Sequence, residues 1–392
     1  MKRVFVIFGV IFILVFVQTN YADAIEQTPD ENLVMEQLKM LDTELLEKTI
    51  ENIHQETEGF FPKLNVQEYV HSVLTGQKAF NLKEILNGII KYIFKELIAN
   101  SHLLIKLVLL SIICAFLQNI SNAFENSGVA KLANIVCQFM IIGIAIQSFS
   151  IAASVGTNTI NDMVHFMQAL LPILLTLLVS TGGMGAATVL QPVIIASVEI
   201  VSTFMKNIIM PLLFFSVVLA VVNNLSSKIH ISKLSSLLKQ ICIVLIGLAL
   251  TVFTGIVTIQ GAVASTADGV ALQTARFAAD TFIPIVGSFV SDAFDTIMGY
   301  SLLLKNAVGS LGLILLILIV ITPLLKILSF ILIYKLATAL IEPIVDDSLI
   351  NCLENMSSAM ILLFATVLSV AIMFFITMTT LIGASNMVMM IR

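Results

Sequence analysis

Residues 311–321 read LGLILLILIVI, a run without one charged or polar side chain. The apolar character extends over 308–341, and a helix needs only about 20 such residues to cross the ~30 Å hydrocarbon core of a bilayer. Six further apolar blocks occur between 101 and 392, at 107–117, 141–151, 170–179, 212–222, 243–257 and 361–376. The sequence therefore predicts an all-α, polytopic membrane protein.

Composition excludes two other classes of protein. Hydrophobic residues make up 58% of the chain, which is too much for a water-soluble fold of this length. Only eleven basic and eleven acidic side chains lie in residues 101–392, and the net charge of the whole chain is −5. Because no basic stripe exists to neutralise phosphates, nucleic acid is not an expected partner.

The N-terminus has the layout of a secretory signal. Lys2 and Arg3 precede an apolar stretch, 4–17, and the small residues Ala22 and Ala24 mark a cleavage site. We expect cleavage after Ala24, with an uncleaved anchor helix as the alternative. The prediction is a signal peptide at 1–24 followed by an exported, acidic, helical domain at 25–100.

The exported domain shows apolar positions at helical spacing and two helix starts. Asn65 with Glu68, and Asn81 with Glu84, have the three-residue spacing of a capping box. The second helix leads almost without a break into the first span. Either it packs on neighbouring helices or it lies at the bilayer surface with its lysines towards headgroups.

Spans are expected near 103–120, 132–151, 164–180, 188–205 and 208–223. The following loop carries Lys228, Lys233 and Lys239 without an acidic residue, which favours the cytoplasm and an exported N-terminal domain. Lysines near the first span count against this orientation. Thr322-Pro323 offers a break in 308–341, so this region is either two short helices or one kinked helix, giving eight or nine spans, some of them broken.

Two charged residues interrupt the apolar region around 200. Glu199 and Lys206 project from similar sides of a helix, about 10 Å apart along its axis. An ionisable group inside a membrane is expensive and indicates function, although a lysine also snorkels to the interface. Both residues are candidates for facing a pore or a partner.

The segment 264–306 divides the predicted bundle into a first part, 101–263, and a C-terminal part, 307–392. It is neither a spanning helix nor a polar loop, and we interpret it as amphipathic or re-entrant. Its polar residues, with one just before it, complete the candidate pore-facing or partner-facing set: Gln260, Asp268, Arg276, Asp280, Asp292, Asp295 and Lys305.

Catalytic signatures are absent from the sequence. It contains no Walker A, dinucleotide-binding, HExxH or GxSxG motif, and its five histidines lack ligand spacing. We therefore expect no enzyme activity, no metal and no cofactor. Energy for any transport would come from an ion gradient or from a separate ATPase.

Three blocks carry a family resemblance: 260–272 (QGAVASTADGVAL), 282–287 (FIPIVG) and 301–309 (SLLLKNAVG). Together with the signal, the acidic domain and the multispan body, they resemble the stage III sporulation protein AE family of endospore-forming bacteria. These blocks are not catalytic signatures.

The resemblance implies a location and a role. It implies a multi-pass protein of the mother-cell membrane around the forespore, with the N-terminal domain in the intermembrane space. Implied partners are a cytoplasmic ATPase, ring-forming membrane proteins and other stage III proteins of a mother-cell to forespore channel complex. The chain would be a channel core or export-gate-like subunit. The alternatives are an ion-coupled secondary transporter of a small solute and a purely structural anchor.

Overall fold

The structure is a computed structural model that describes residues 44–56, 65–75, 82–123, 128–225, 232–282, 287–345 and 347–390. Its helices are α1 Glu44–Glu56, α2 Val66–Leu74, α3 Leu82–Ala99, α4 Ser101–Ala123, α5 Gly128–Ser180, α6 Met184–Phe204, α7 Met210–Leu225, α8 Ser232–Phe282, α9 Gly287–Ile341 and α10 Asp347–Met390. A π-helical turn, Met205–Ile209, joins α6 to α7. The prediction of an all-α membrane protein is confirmed.

Six helical stretches in the described part of the chain are long and apolar enough to cross a membrane: Ser101–Ile120, Ile135–Ser180, Met184–Asn223, Ser232–Ala264, Ile297–Ile341 and Asp347–Ala384. Eight or nine were predicted, and the connections explain the difference. The predicted spans 132–151 and 164–180 belong to one helix, α5, and the π turn joins 188–205 to 208–223. Polar residues between the predicted spans of α5 recur at helical spacing, so the helix continues through them.

At Thr322-Pro323 the structure shows one continuous helix, α9, and the alternative of two short helices is wrong. A proline inside a helix costs about 3 kcal/mol through its missing N–H and its ring. Here the flanking residues Ile321 and Leu324 are buried, and their packing offsets that cost. Glu342 and Glu354 consequently lie near the same end of the bundle as Lys239, whose ammonium group bonds to Asn355.

Contacts at one end of the bundle tie α5, α8, α9 and α10 together. The hydroxyl groups of Tyr334 and Ser148 are hydrogen-bonded to each other, which joins α9 to α5. Lys239 Nζ donates to Asn355 Oδ1 at 3.0 Å, which joins α8 to α10. We call this level of the bundle the Tyr334 level.

At the other end, glycines allow the same four helices to approach closely. A Cβ placed on Gly312 would lie 2.7 Å from Met378 Cε and still closer to Leu170 Cδ2. A Cβ placed on Gly261 would lie 2.6 Å from Thr380 Cγ2. This is the Gly312 level, where α9 meets α5 and α10, and α8 meets α10.

The distance between the two levels matches a bilayer. From Ser148 to Leu170 in α5, and from Gly312 to Tyr334 in α9, the chain advances by about 33 Å at 1.5 Å per residue. The hydrocarbon core is about 30 Å thick. We call the part of the bundle between the two levels the middle layer.

The N-terminal helices pack beside α9. Tyr69 of α2 donates a hydrogen bond to Ser310 Oγ at 3.2 Å, and Tyr92 of α3 is buried against Ile321 and Leu325. Of the two arrangements expected for the helix that leads into the first span, the structure shows α3 packed on a neighbouring helix, α9. Asn65 caps α2 as predicted, because its Oδ1 accepts from the N–H groups two and three residues on. The domain boundaries stay predictions.

Candidate functional site: a polar strip on the outer face of the bundle

The outer face of α5 is polar throughout the middle layer. Its exposed polar residues are Ser150, Ser154, Asn158, Asp162, His165 and Gln168. They recur every three or four positions and therefore share one face of the helix. Within 148–170, Ile151 is the one exposed residue with an apolar side chain.

Packing fixes the direction of this face. The opposite side of α5 is apolar and buried, with Phe149, Ile160 and Met163 in the core. A Cβ on Gly156 would lie 3.1 Å from both Leu363 and Val367 of α10, so the two helices already approach closely there. Because α5 buries its apolar side against α10, its polar side must point outward.

The outer face of α8 at the same depth is different. Its exposed residues there include Ile243, Val244, Leu248, Val252, Ile256 and Ile259. Such a surface suits acyl chains, whereas the surface of α5 does not. A single aspartate at the centre of a spanning helix costs about 2.5–3.5 kcal/mol for insertion in lipid. A face of this kind requires water or polar protein groups wherever it lies within the hydrocarbon core.

The polar surface continues onto the π turn beside α5. Lys206 Nζ donates to Asn161 Oδ1 at 2.8 Å and is half-buried by that contact. The turn ends two residues before Pro211, which has no N–H and whose ring would collide with the carbonyl group four residues earlier, inside the turn. A wider turn relieves this collision, and π turns occur frequently at functional sites.

Glu199 is exposed on α6, and Lys206, seven residues later, bonds to Asn161 of α5. Thr203 and Asn207 are also exposed on this side. We define the polar strip as the exposed polar residues of α5 together with these three residues of α6 and the π turn: Ser150, Ser154, Asn158, Asp162, His165, Gln168, Glu199, Thr203 and Asn207.

The chemistry of the strip is that of solvation. Hydroxyl and amide groups supply both hydrogen-bond donors and acceptors, and His165 lies close enough to Asp162 to interact with it electrostatically. In the described part of the chain, no three metal-ligating side chains come together. The strip can accompany a hydrated solute, but it presents no pairing of nucleophile and base.

Lys305, another predicted residue, lies inside the bundle. Its side chain is 0% exposed, and its Nζ donates to the carbonyl oxygen of Ile382 in α10 at 2.8 Å. A Cβ on Gly309, one turn later, would lie 2.5 Å from Ile382. Gln260 is half-buried next to Gly261, which contacts Thr380. Gln260 and Lys305 thus both approach the last part of α10, away from the outer face of α5.

The remaining predicted residues stay untested. Asp268, Arg276 and Asp280 belong to the last part of α8, and Asp292 and Asp295 belong to the first part of α9. Their side chains lie outside the described residues, as does the signal peptide.

Sequence reasoning missed the α5 part of the strip, including Asp162 and His165. A signal existed, because the polar residues from 147 to 168 follow a helical period inside an apolar region. Instead, two separate spans were predicted, 132–151 and 164–180, and this interpretation divided the polar residues between the two spans and the segment that joins them. That interpretation hid the strip.

Comparisons with known proteins agree over most of the chain. The family model described as Stage III sporulation protein AE matches residues 64–385, which include the strip and Lys305. The chain is also similar to a curated protein of Bacillus subtilis (strain 168), Stage III sporulation protein AE. The two are 38% identical over 375 residues, covering 94% of this chain and 93% of that protein. No solved structure matches the chain.

Proposed function

Because this chain belongs to the stage III sporulation protein AE family, we propose that it is a membrane subunit of the channel complex between mother cell and forespore. The family and the apolar helices establish a sporulation-related membrane protein. The role in a channel, as core or export-gate-like component, is the proposal.

The observation that carries this proposal is the polar strip. A structural anchor needs only a surface compatible with lipid, and α8 has such a surface at the same depth. A face carrying Asp162 and His165 in the middle layer is costly unless hydrophilic material lies beside it. In a subunit that borders a hydrophilic route, this polar face would be in contact with water or solute and its cost would be removed.

Partners and location follow as parts of the same proposal. The sequence contains no nucleotide-binding motif, so the complex would draw on a separate cytoplasmic ATPase, with ring-forming membrane proteins outside. The chain would lie in the mother-cell membrane that surrounds the forespore. The lysine-containing loop after α7 would face the mother-cell cytoplasm, and the N-terminal region would face the intermembrane space.

Purification from sporulating cells tests the proposal. The full chain with an affinity tag should co-purify with the ATPase and the ring-forming proteins, and a strain lacking the chain should stop before completing its spores. A strain restored with the tagged chain is the control. Normal spore formation without the chain, or purification of the chain alone from cells at the engulfed stage, would refute the proposal.

A second candidate is an ion-coupled secondary transporter, and the buried Lys305 favours it. A lysine with 0% exposure that bonds to a helix carbonyl is a plausible group for coupling to an ion. Purified chain in liposomes with an imposed proton or sodium gradient should then accumulate a solute unaided. If the chain takes up no solute under a gradient but does co-purify with the ATPase and the ring-forming proteins, the transporter is refuted and the channel subunit is retained.

A further inference from the structure

We propose that the polar strip lines a water-filled passage that several copies of this chain close between them. This inference rests on the proposed channel function and specifies which helix faces the passage. The argument uses the length of the strip, its side chains and its position on the outside of one bundle.

The strip is long enough to keep a route hydrated across the hydrocarbon core. From Ser150 to Gln168 the helix advances by about 27 Å at 1.5 Å per residue, close to the ~30 Å of the core. No turn of α5 in this interval lacks an exposed polar side chain. An isolated polar site would occupy one or two turns, so the continuity indicates a path.

The side chains favour water over a dry contact between proteins. Helices that associate in membranes pack small and apolar residues closely and add a few hydrogen bonds. The strip instead presents Asn158, Asp162, His165 and Gln168 in succession, all of them exposed. In a dry interface each charged group would lose its hydration. An oppositely charged partner offsets that loss of free energy only when the geometry of the pair is excellent. Water satisfies all of these groups.

The described part of one chain does not enclose the passage, because the strip lies on the outer surface of its bundle. An apolar row borders the strip on α6 and the π turn: Ile195, Ile200 and Ile208 are 49%, 66% and 43% exposed. A repeated subunit places one strip after another around a lumen and covers the apolar row with its neighbour. Such head-to-tail contacts close into a ring when the rotation permits.

The lining predicts what passes. Amide and hydroxyl groups predominate, and the acidic side chains of Asp162 and Glu199 are offset in part by the ammonium group of Lys206 at the edge of the strip. A wall of this kind offers hydrogen bonds without a strong electrostatic preference. Small hydrated solutes of either charge are therefore the expected cargo.

Cysteine accessibility tests the lining. The four native cysteines are all buried, so they give a low background. Single variants Ser154→Cys, Asn158→Cys and Gln168→Cys are made in the full chain and reconstituted in liposomes without other sporulation proteins. Val252→Cys and Ile256→Cys, exposed on α8 at the same depth, are the matched controls. The probe is a methanethiosulfonate that carries a quaternary ammonium group and does not cross lipid.

Thiols at the three α5 positions should react at least about tenfold faster than those at the two α8 positions, because only a hydrated thiol ionises readily. Equal reactivity of the two sets would overturn the passage. For the ring of copies, Ile200→Cys labelled with a benzophenone maleimide should give cross-linked copies of the chain on illumination, because the photoreactive group attacks whatever surface of the next copy lies against it. Fast labelling on α5 without any cross-linked species would overturn closure by copies of this chain.

The two proposals fail separately. Labelling in liposomes uses the chain alone, whereas the proposed function is judged by co-purification and spore formation. If the α5 thiols are labelled but the chain co-purifies with no sporulation proteins, the channel complex is refuted and the water-filled passage is supported. If the α5 thiols are not labelled but the chain co-purifies with the ATPase, the passage is refuted and the channel complex is supported.

Discussion

Replacing Gly312 by alanine should destabilise the bundle, because a Cβ there would lie 2.7 Å from Met378 Cε and still closer to Leu170 Cδ2. Both of these side chains are fully buried, so they can yield only by changing rotamer inside the core. Overpacking of this kind costs about 1–3 kcal/mol. Alanine regains up to about 1 kcal/mol over glycine in a helix interior. The expected net loss in the free energy of unfolding is about 1 kcal/mol.

Gly247→Ala is the matched control. Gly247 lies on the exposed face of α8, and nothing approaches its Cβ position within 4 Å. Only the helix-propensity term acts there, so this variant should be more stable than the parent chain by up to about 1 kcal/mol. The two glycine-to-alanine changes should therefore move stability in opposite directions.

The buried cysteines provide the assay. Cys114, Cys137, Cys242 and Cys352 are all inaccessible in the folded chain, so a maleimide dye that fluoresces on reaction reports unfolding in detergent during heating. The midpoint should fall for Gly312→Ala and rise for Gly247→Ala. If both variants shift upward together, the close approach of α5, α9 and α10 at the Gly312 level is refuted.

Three further outcomes follow from other contacts. Burial raises the pKa of Tyr69, so the folded chain keeps this phenol neutral where the unfolded chain ionises. Stability should therefore fall as pH rises above 10, and Tyr69→Phe, which also removes the hydrogen bond to Ser310, should show a shallower fall between pH 9 and 11. An unchanged slope would contradict burial of the phenol. Asp162→Leu should lower spore formation by at least about tenfold if the strip is hydrated, while folding persists because the residue is exposed; wild-type spore counts would contradict a role for the strip. Lys206→Met should lower the unfolding midpoint, because it removes a charge-assisted hydrogen bond to Asn161 that is worth about 1.5–3 kcal/mol. In the double variant, Asn161→Leu should cause little further loss of stability, because the bond is already absent. Additive losses would contradict the pairing.

The sequence predicted the class of fold because apolar composition and span length act locally. Asn65 was also predicted correctly as a helix cap, since capping depends on residues two and three positions away. The continuity of α9 through Pro323 was not decidable from the sequence. It depends on the burial of Ile321 and Leu324 among helices distant along the chain.

The site was predicted only in part. Glu199 was recognised as costly in a membrane, and it is an exposed member of the strip. Lys305 was predicted to face a pore or a partner, whereas it is buried and its ammonium group donates to the carbonyl oxygen of Ile382. No local pattern reveals that partner, because it lies on a different helix. The strip could be recognised only once α5 was known to be one continuous helix, because only then do the scattered polar residues share one face.

The Gly312 level joins segments that lie far apart along the chain: Leu170, Gly312 and Met378 meet there. During synthesis α5 is made well before the helix that holds Met378, so Leu170 remains without this neighbour until α10 follows. Lys305 likewise lacks its carbonyl acceptor until Ile382 has been made. Assembly of this bundle is therefore a late event in biogenesis. A ribosome stalled before α10 would leave an insertion intermediate in which Lys305 lacks the carbonyl group of Ile382, a ready substrate for membrane proteases.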